Sequence, residues 1–207
     1  MSSPCPLPGL KSISPYVGGE SDISGFDKVI KLASNEGAFG PSQKTIEAIN
    51  SAIKDSHRYP DGDSQELREA ISQKYSLELE RLVCGCGSDE LINLLCRTYA
   101  APGDEIVHTA HGFAMYPIYA KTVGAVPISA PENNITACVP NIVNAITERT
   151  KLVFIANPNN PTGTYLPASQ LMSLHQQIPS NVLLIIDSAY AEYVQEKDYS
   201  PGFELAK

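Results

Sequence analysis

The sequence predicts an α/β protein: a mostly parallel sheet with helices on both faces, preceded by an irregular N-terminal arm. Three observations carry the prediction. Short, continuous apolar runs such as residues 152–156 and 182–186 look like strands buried on both sides. Segments of helical period separate those runs, as crossover connections between parallel strands require. Glycine-bearing or polar stretches then follow the strands, at Gly85-Cys86-Gly87, Asn157-Pro158-Asn159-Asn160-Pro161-Thr162-Gly163 and Asp187. Open α/β sheets bind ligands outside the carboxyl ends of their strands.

Taken in order, residues 1–40 are rich in Gly, Pro and Ser with little periodicity, and read as the arm. Residues 41–207 read as one domain, with no internal repeat, low-complexity tract or linker. Gly40-Pro41-Ser42 opens a helix to about residue 55, with Ile46, Ile49 and Ile53 on one face. Residues 57–62 form a loop. Asp63, with Glu66 three positions on, has the spacing of a capping box before a helix carrying Leu67, Ala70 and Ile71. Leu82-Val83-Cys84 is a short strand, and Ser88 caps a helix with Leu91, Ile92, Leu94 and Leu95 apolar. Strands follow at 105–109, 125–129, 152–156 and 182–187, alternating with helices at 113–122, about 142–146 and 168–177.

Composition narrows the function. The net charge of −8 and the lack of basic stripes exclude a nucleic-acid role. No apolar run approaches the roughly 20 residues that span a bilayer, so no membrane role is expected. The first residues lack the basic and apolar regions of a secretory signal. Five cysteines without paired spacing suit reduced thiols, and the expectation is a soluble cytoplasmic protein.

Each constellation has two readings. Gly85-Cys86-Gly87-Ser88-Asp89-Glu90 is either a glycine turn capped by Ser88 or an anion site at a helix start. It lacks the third glycine of a dinucleotide fingerprint. Asp187 either caps the next segment or pairs with a cation brought by a ligand, such as a protonated ring nitrogen; Tyr190 could reach the same ligand. The Asn157 to Gly163 stretch is a rigid turn, or a mount that fixes an amide against a flat ligand. Phe113 and Tyr116 are core, or a stacking platform. His108 and His111 have no third ligand nearby, and Cys84-x-Cys86 lacks zinc spacing, so no metal is expected. Cys5, Cys96 and Cys138 read as structural or incidental.

Together these segments resemble the fold type I pyridoxal-phosphate-dependent aminotransferases of class I/II, and within them the histidinol-phosphate aminotransferases. The resemblance also takes in Pro15-Tyr16-Val17-Gly18-Gly19, Leu32-Ala33-Ser34-Asn35-Glu36 with Gly40-Pro41-Ser42, and Tyr59-Pro60-Asp61-Gly62 with Leu67-Arg68. It implies pyridoxal 5'-phosphate as cofactor. Backbone N–H groups of Ser88 and Asp89 would hold its phosphate, Phe113 would stack on the pyridine, and Asn160 and Tyr190 would share its 3-oxygen. Asp187 would pair with the pyridine nitrogen. Tyr59 would reach the phosphate of a neighbouring subunit, which implies a homodimer in the complete protein, and Tyr16 and Asn35 would contact substrate. The implied reaction exchanges an amino group between histidinol phosphate and 2-oxoglutarate, forming glutamate, in histidine biosynthesis.

Three departures from the family pattern stand out. Ser188 replaces a usual Glu, His111-Gly112-Phe113 replaces a proline- and tyrosine-bearing version, and Glu36-Gly37-Ala38-Phe39 replaces the usual Glu-Asn-Pro. The family's Schiff-base lysine has no counterpart here, since Lys197 and Lys207 lack its context. The expectation is therefore an N-terminal portion without the C-terminal small domain, inactive as it stands, with no catalytic residue of its own. The alternatives are an aromatic amino acid aminotransferase, a threonine-phosphate decarboxylase-like enzyme, or a non-catalytic remnant.

Overall fold

A computed structural model of the chain describes residues 5, 6, 8–14, 18, 19, 23–26, 29–37 and 39–206. The chain divides into two compact units, residues 14–84, and residues 1–13 together with 85–207.

In the 14–84 unit, helix α1 (Gln43–Ala52) starts at Ser42, whose Oγ accepts the Thr45 N–H at 3.2 Å. Helix α2 (Gln65–Tyr75) corrects the expected capping box. Ser64 turns through the left-handed region at φ 50, which swings Asp63 out of capping position. Asp61 takes over. Its Oδ2 accepts the Gln65 N–H at 2.7 Å and its Oδ1 the Asp63 N–H at 3.1 Å, and those two bonds hold its carboxyl below the ordinary value. The strand expected at Leu82-Val83-Cys84 does not form either. Leu82 is extended, but residues 82–84 belong to none of the sheet's strands, and Val83 is 75% exposed. The Leu82 N–H instead goes to the Leu79 carbonyl at 3.2 Å, closing the preceding turn.

The second unit carries the sheet. Strands β1 (Glu105–Thr109), β2 (Val126–Ala130), β3 (Thr150–Ala156) and β4 (Leu183–Asp187) lie in the order β2-β1-β3-β4, every pair parallel. Side chains alternate across it with the period of a strand. Ile106, Leu152 and Phe154 pack with Ile92 and Cys96 of α3 (Gly87–Tyr99) and with Tyr116 and Ala120 of α4 (Met115–Thr122). Val107, Val153 and Ile155 pack with Val139 and Ile142 of α5 (Val139–Asn144) and with Leu171 and Leu174 of α6 (Ala168–Gln177). Both faces are covered over the central β1 and β3, whereas β4, expected to be buried on both sides, is only half-buried because it is the last strand in the sheet order, with Leu183 37% exposed. Helix α3 departs from expectation at its start: Ser88 lies inside the first turn, and Glu90 Oε2 accepts the Cys86 N–H at 2.6 Å.

The two ends of the sheet differ. At the amino end of β1, the buried Glu105 accepts the Thr147 hydroxyl at 2.6 Å and pairs with Arg149. The carboxyl ends of β1, β3 and β4 open into loops that hold the remaining chemistry.

Candidate functional site

Asp187 closes β4. Its Oδ1 accepts the Ala189 N–H at 3.2 Å, and its Oδ2 accepts the Tyr116 hydroxyl at 2.8 Å. Its carbonyl accepts the Asn157 N–H at 2.9 Å, so the carboxylate hangs from a strand end fixed by its neighbour β3. Tyr116 has no solvent exposure. Its ring stacks on Phe154 at 5.0 Å between centroids and meets Phe113 edge-on at 5.7 Å. Burial above all, then the Asp187 charge, raises the phenol's pKa, so it remains a neutral donor. Sequence reading treated Tyr116 only as core or platform and missed this bond. The i, i+3 spacing of Phe113 and Tyr116 was the available signal, since both then share one side of a turn.

The Asn157 to Gly163 loop divides its asparagines between jobs. Asn157 is buried, with Oδ1 accepting the Leu166 N–H at 2.7 Å and Nδ2 donating to the Leu166 carbonyl at 3.2 Å. Its own carbonyl accepts the Tyr199 hydroxyl at 2.7 Å. Asn159 closes the loop through Thr164 and Gly163, at 2.7 and 2.8 Å, with Gly163 at φ 71 where a side chain would be strained. The Asn157–Pro158 and Asn160–Pro161 bonds are cis. Asn160 is the asparagine that faces the cavity.

That cavity, about 100 Å³, is lined by Ser88, Phe113, Ala156, Pro158, Asn160, Asp187, Ala189 and Tyr190. Five of the residues singled out from sequence therefore meet in one place: Ser88, Phe113, Asn160, Asp187 and Tyr190. Asp89 follows Ser88 on α3, and its carboxylate accepts the Tyr119 hydroxyl at 2.6 Å. That bond pushes the Tyr119 phenol up to about 12. A larger concavity of about 640 Å³ runs beside β4, lined by residues such as Leu183, Ile186 and Phe203. It gathers no carboxylate, so chemistry and not size selects the smaller site.

Asn35 and Tyr59 belong to the 14–84 unit, where Tyr59 is fully exposed, and Tyr16 lies outside the described residues. Among the described residues, no group of three or more His, Cys, Asp or Glu side chains could hold a metal ion. No helix among them is long and apolar enough to cross a membrane.

The arrangement offers an aromatic wall, a carboxylate with fixed oxygens, an amide, a phenol and a helix start. Residues 27–206 match the family model for aminotransferase class I and II. The chain belongs to the class I and II aminotransferases. Among curated aminotransferases, it is 54% identical to the histidinol-phosphate aminotransferase of Paramagnetospirillum magneticum, over all of this chain and 57% of the relative. It is 53% identical to that of Rhodospirillum rubrum, over 98% of this chain and 55% of the relative. The chain thus spans little more than half the length of these relatives. Among solved aminotransferases, the histidinol-phosphate enzyme of Sinorhizobium meliloti, in complex with pyridoxal-5'-phosphate, superposes with a TM-score of 0.78 at 25% identity. The match covers 81% of this chain and 46% of that one. A Thermus thermophilus aspartate aminotransferase variant gives 0.77 at 25% identity, over 94% and 54%. This aminotransferase chain therefore has the α/β architecture expected of it, shared with relatives named for different substrates.

Proposed function

We propose that this chain forms the cofactor-holding part of a pyridoxal-phosphate-dependent histidinol-phosphate aminotransferase, with 2-oxoglutarate as amino acceptor. The observation that carries the reading is the convergence of Phe113, Asn160, Asp187 and Tyr190 with the start of α3 around one cavity. The names of the relatives at 53–54% identity support the substrate.

The donor set fits a flat, phosphate-bearing pyridine. Phe113 and Ala156 are apolar walls suited to a ring. The thirteen-residue helix α3 directs backbone N–H groups at Ser88 and Asp89 toward an anion, with its dipole in the favourable sense. Asp187 suits the ring nitrogen, where a carboxylate held by Tyr116 and the Ala189 N–H can keep a proton in place. Asn160 and Tyr190 suit the ring's 3-oxygen. When bound, the cofactor supplies an electron sink for negative charge developing on the substrate carbon.

The remaining expectations belong to the same reading. Tyr59 serves the phosphate of a second copy of the chain in a homodimer, consistent with its full exposure and with the exposed Ile46, Ile49 and Ile53 along α1 and just beyond it. Tyr16 and Asn35 serve the substrate. Residues 1–40 act as an arm and 41–207 as part of the cofactor-binding domain, in a cytoplasmic enzyme of histidine biosynthesis.

The test is glutamate formation by the full-length protein carrying this sequence, given the cofactor, histidinol phosphate and 2-oxoglutarate. Aromatic amino acids serve as competing amino donors, and carbon dioxide release from threonine phosphate is followed alongside, since a decarboxylase forms no glutamate. Turnover should be greatest with histidinol phosphate and should vanish in Asp187→Ala, with the fold retained. Near-normal turnover in that variant would remove the role assigned to Asp187.

A further inference from the structure

The cavity's ring wall and its amide come from different loops. Phe113 follows β1, and Asn160 follows β3. Sheet bonds hold the first residue of each loop, Ala110 to the Ala130 carbonyl at 3.0 Å and Asn157 to the Asp187 carbonyl at 2.9 Å, whereas Phe113 and Asn160 lie three residues further on, and a binding site needs such groups fixed to a fraction of an ångström.

Two residues before Phe113 lies His111, whose side chain is 58% exposed but whose backbone N–H, carbonyl and ring Nδ1 are all bonded. Glu132, in the loop after β2, directs both carboxylate oxygens at it. Oε1 accepts the His111 backbone N–H at 2.9 Å, and Oε2 accepts the ring Nδ1–H at 2.8 Å. A carboxylate only accepts, so Nδ1 carries the proton. The Glu132 side chain is 3% exposed, and such a group is stable only when its oxygens are partnered. Asn159 Nδ2, from the loop after β3, donates to the His111 carbonyl at 3.0 Å. Asn159 is the immediate neighbour of Asn160.

The mount behind Glu132 is itself fixed. Asn141 Nδ2 donates to the Pro131 carbonyl at 3.0 Å, and Asn133 and Thr136 exchange backbone bonds of 3.0 Å in each direction. Thr164 Oγ1 donates to the Ile135 carbonyl at 2.9 Å, tying this turn back to the loop after β3. On the Phe113 side there is no slack. A Cβ added at Gly112 would lie 2.9 Å from Thr109 Oγ1.

We propose, resting on the cofactor reading above, that Glu132 and Asn159 are positioning residues that clamp His111 from two separate loops, fixing the Phe113 wall relative to Asn160. The recognising chemistry is a charge-assisted pair of bonds to one residue and an amide bond to the same residue, three loops meeting at one point.

The experiment uses the full-length protein with Glu132→Ala, Glu132→Gln and Asn159→Ala. Amide hydrogen exchange without cofactor comes first. The peptide covering residues 110–116 should exchange about tenfold faster or more in Glu132→Ala and Asn159→Ala. Glu132→Gln, which keeps one acceptor, should fall between, while β1 and β3 keep their protection. Unchanged exchange in 110–116 overturns the clamp. If Glu132→Ala fails to fold, Glu132→Gln and Asn159→Ala decide the question. The second readout is visible circular dichroism of added pyridoxal 5'-phosphate, which reports ring orientation. It should change in both alanine variants, and an unchanged signal alongside faster exchange overturns the positioning role. Failure of the wild-type protein to bind pyridoxal 5'-phosphate would overturn the cofactor reading and, with it, this role, whereas exchange still decides the clamp.

Discussion

The Tyr116 hydroxyl donates to Asp187 Oδ2 across 2.8 Å, joining the first helix after β1 to the end of β4. One carboxylate oxygen is thereby fixed from behind, and the other takes the Ala189 N–H. Tyr116→Phe keeps the ring stack on Phe154 and removes only this bond. The loss should cost about 1–2 kcal/mol in denaturant unfolding and lower turnover of the full-length protein about tenfold. An unaltered pH dependence of the bound cofactor's absorbance would show that the hydroxyl does not influence Asp187.

Glu105 is the pH-sensitive group at the opposite end of the sheet. The Thr147 hydroxyl first, and then Arg149, hold its carboxyl below the ordinary value of 4.5. A depressed carboxylate contributes stability that is full above its unfolded pKa and is lost as pH falls through the folded one. Glu105→Gln should therefore cost about 1–2 kcal/mol near neutral pH, and the difference should close under acid conditions below 4.5. Urea melts of both proteins across that range read the effect. A gap that stays constant into acid would assign the cost to packing.

Cys96 reports the seating of α3. It has no solvent exposure, and burial pushes its thiol up to about 11. The thiolate is the reactive form, so native Cys96 should resist a thiol reagent at mildly alkaline pH while the exposed Cys86 reacts. Peptide mapping after timed labelling distinguishes them. Labelling of Cys96 at the rate of Cys86 would mean that α3 does not pack on the sheet as described.

The sequence by itself determined the local structure and the shortlist of chemistry. Apolar runs and helical spacing marked the four strands and the helices packed on them, because burial imposes those patterns on neighbouring residues, although only β1 and β3 are buried on both faces and β4 is half-buried. Ser88, Phe113, Asn160, Asp187 and Tyr190 were legible because each lies just after a strand or in a distinctive motif. What only the tertiary structure decided is partnership. Tyr116 meets Asp187 across 71 positions, Asn159 meets His111 across 48, and Glu132 meets His111 across 21. The same holds where expectation failed. Asp61 displaced Asp63 because Ser64 adopts a left-handed turn, and residues 82–84 pair with none of the sheet's strands. Periodicity records which face of an element is buried, whereas packing between distant segments chooses what that face, or a polar group beside it, will touch.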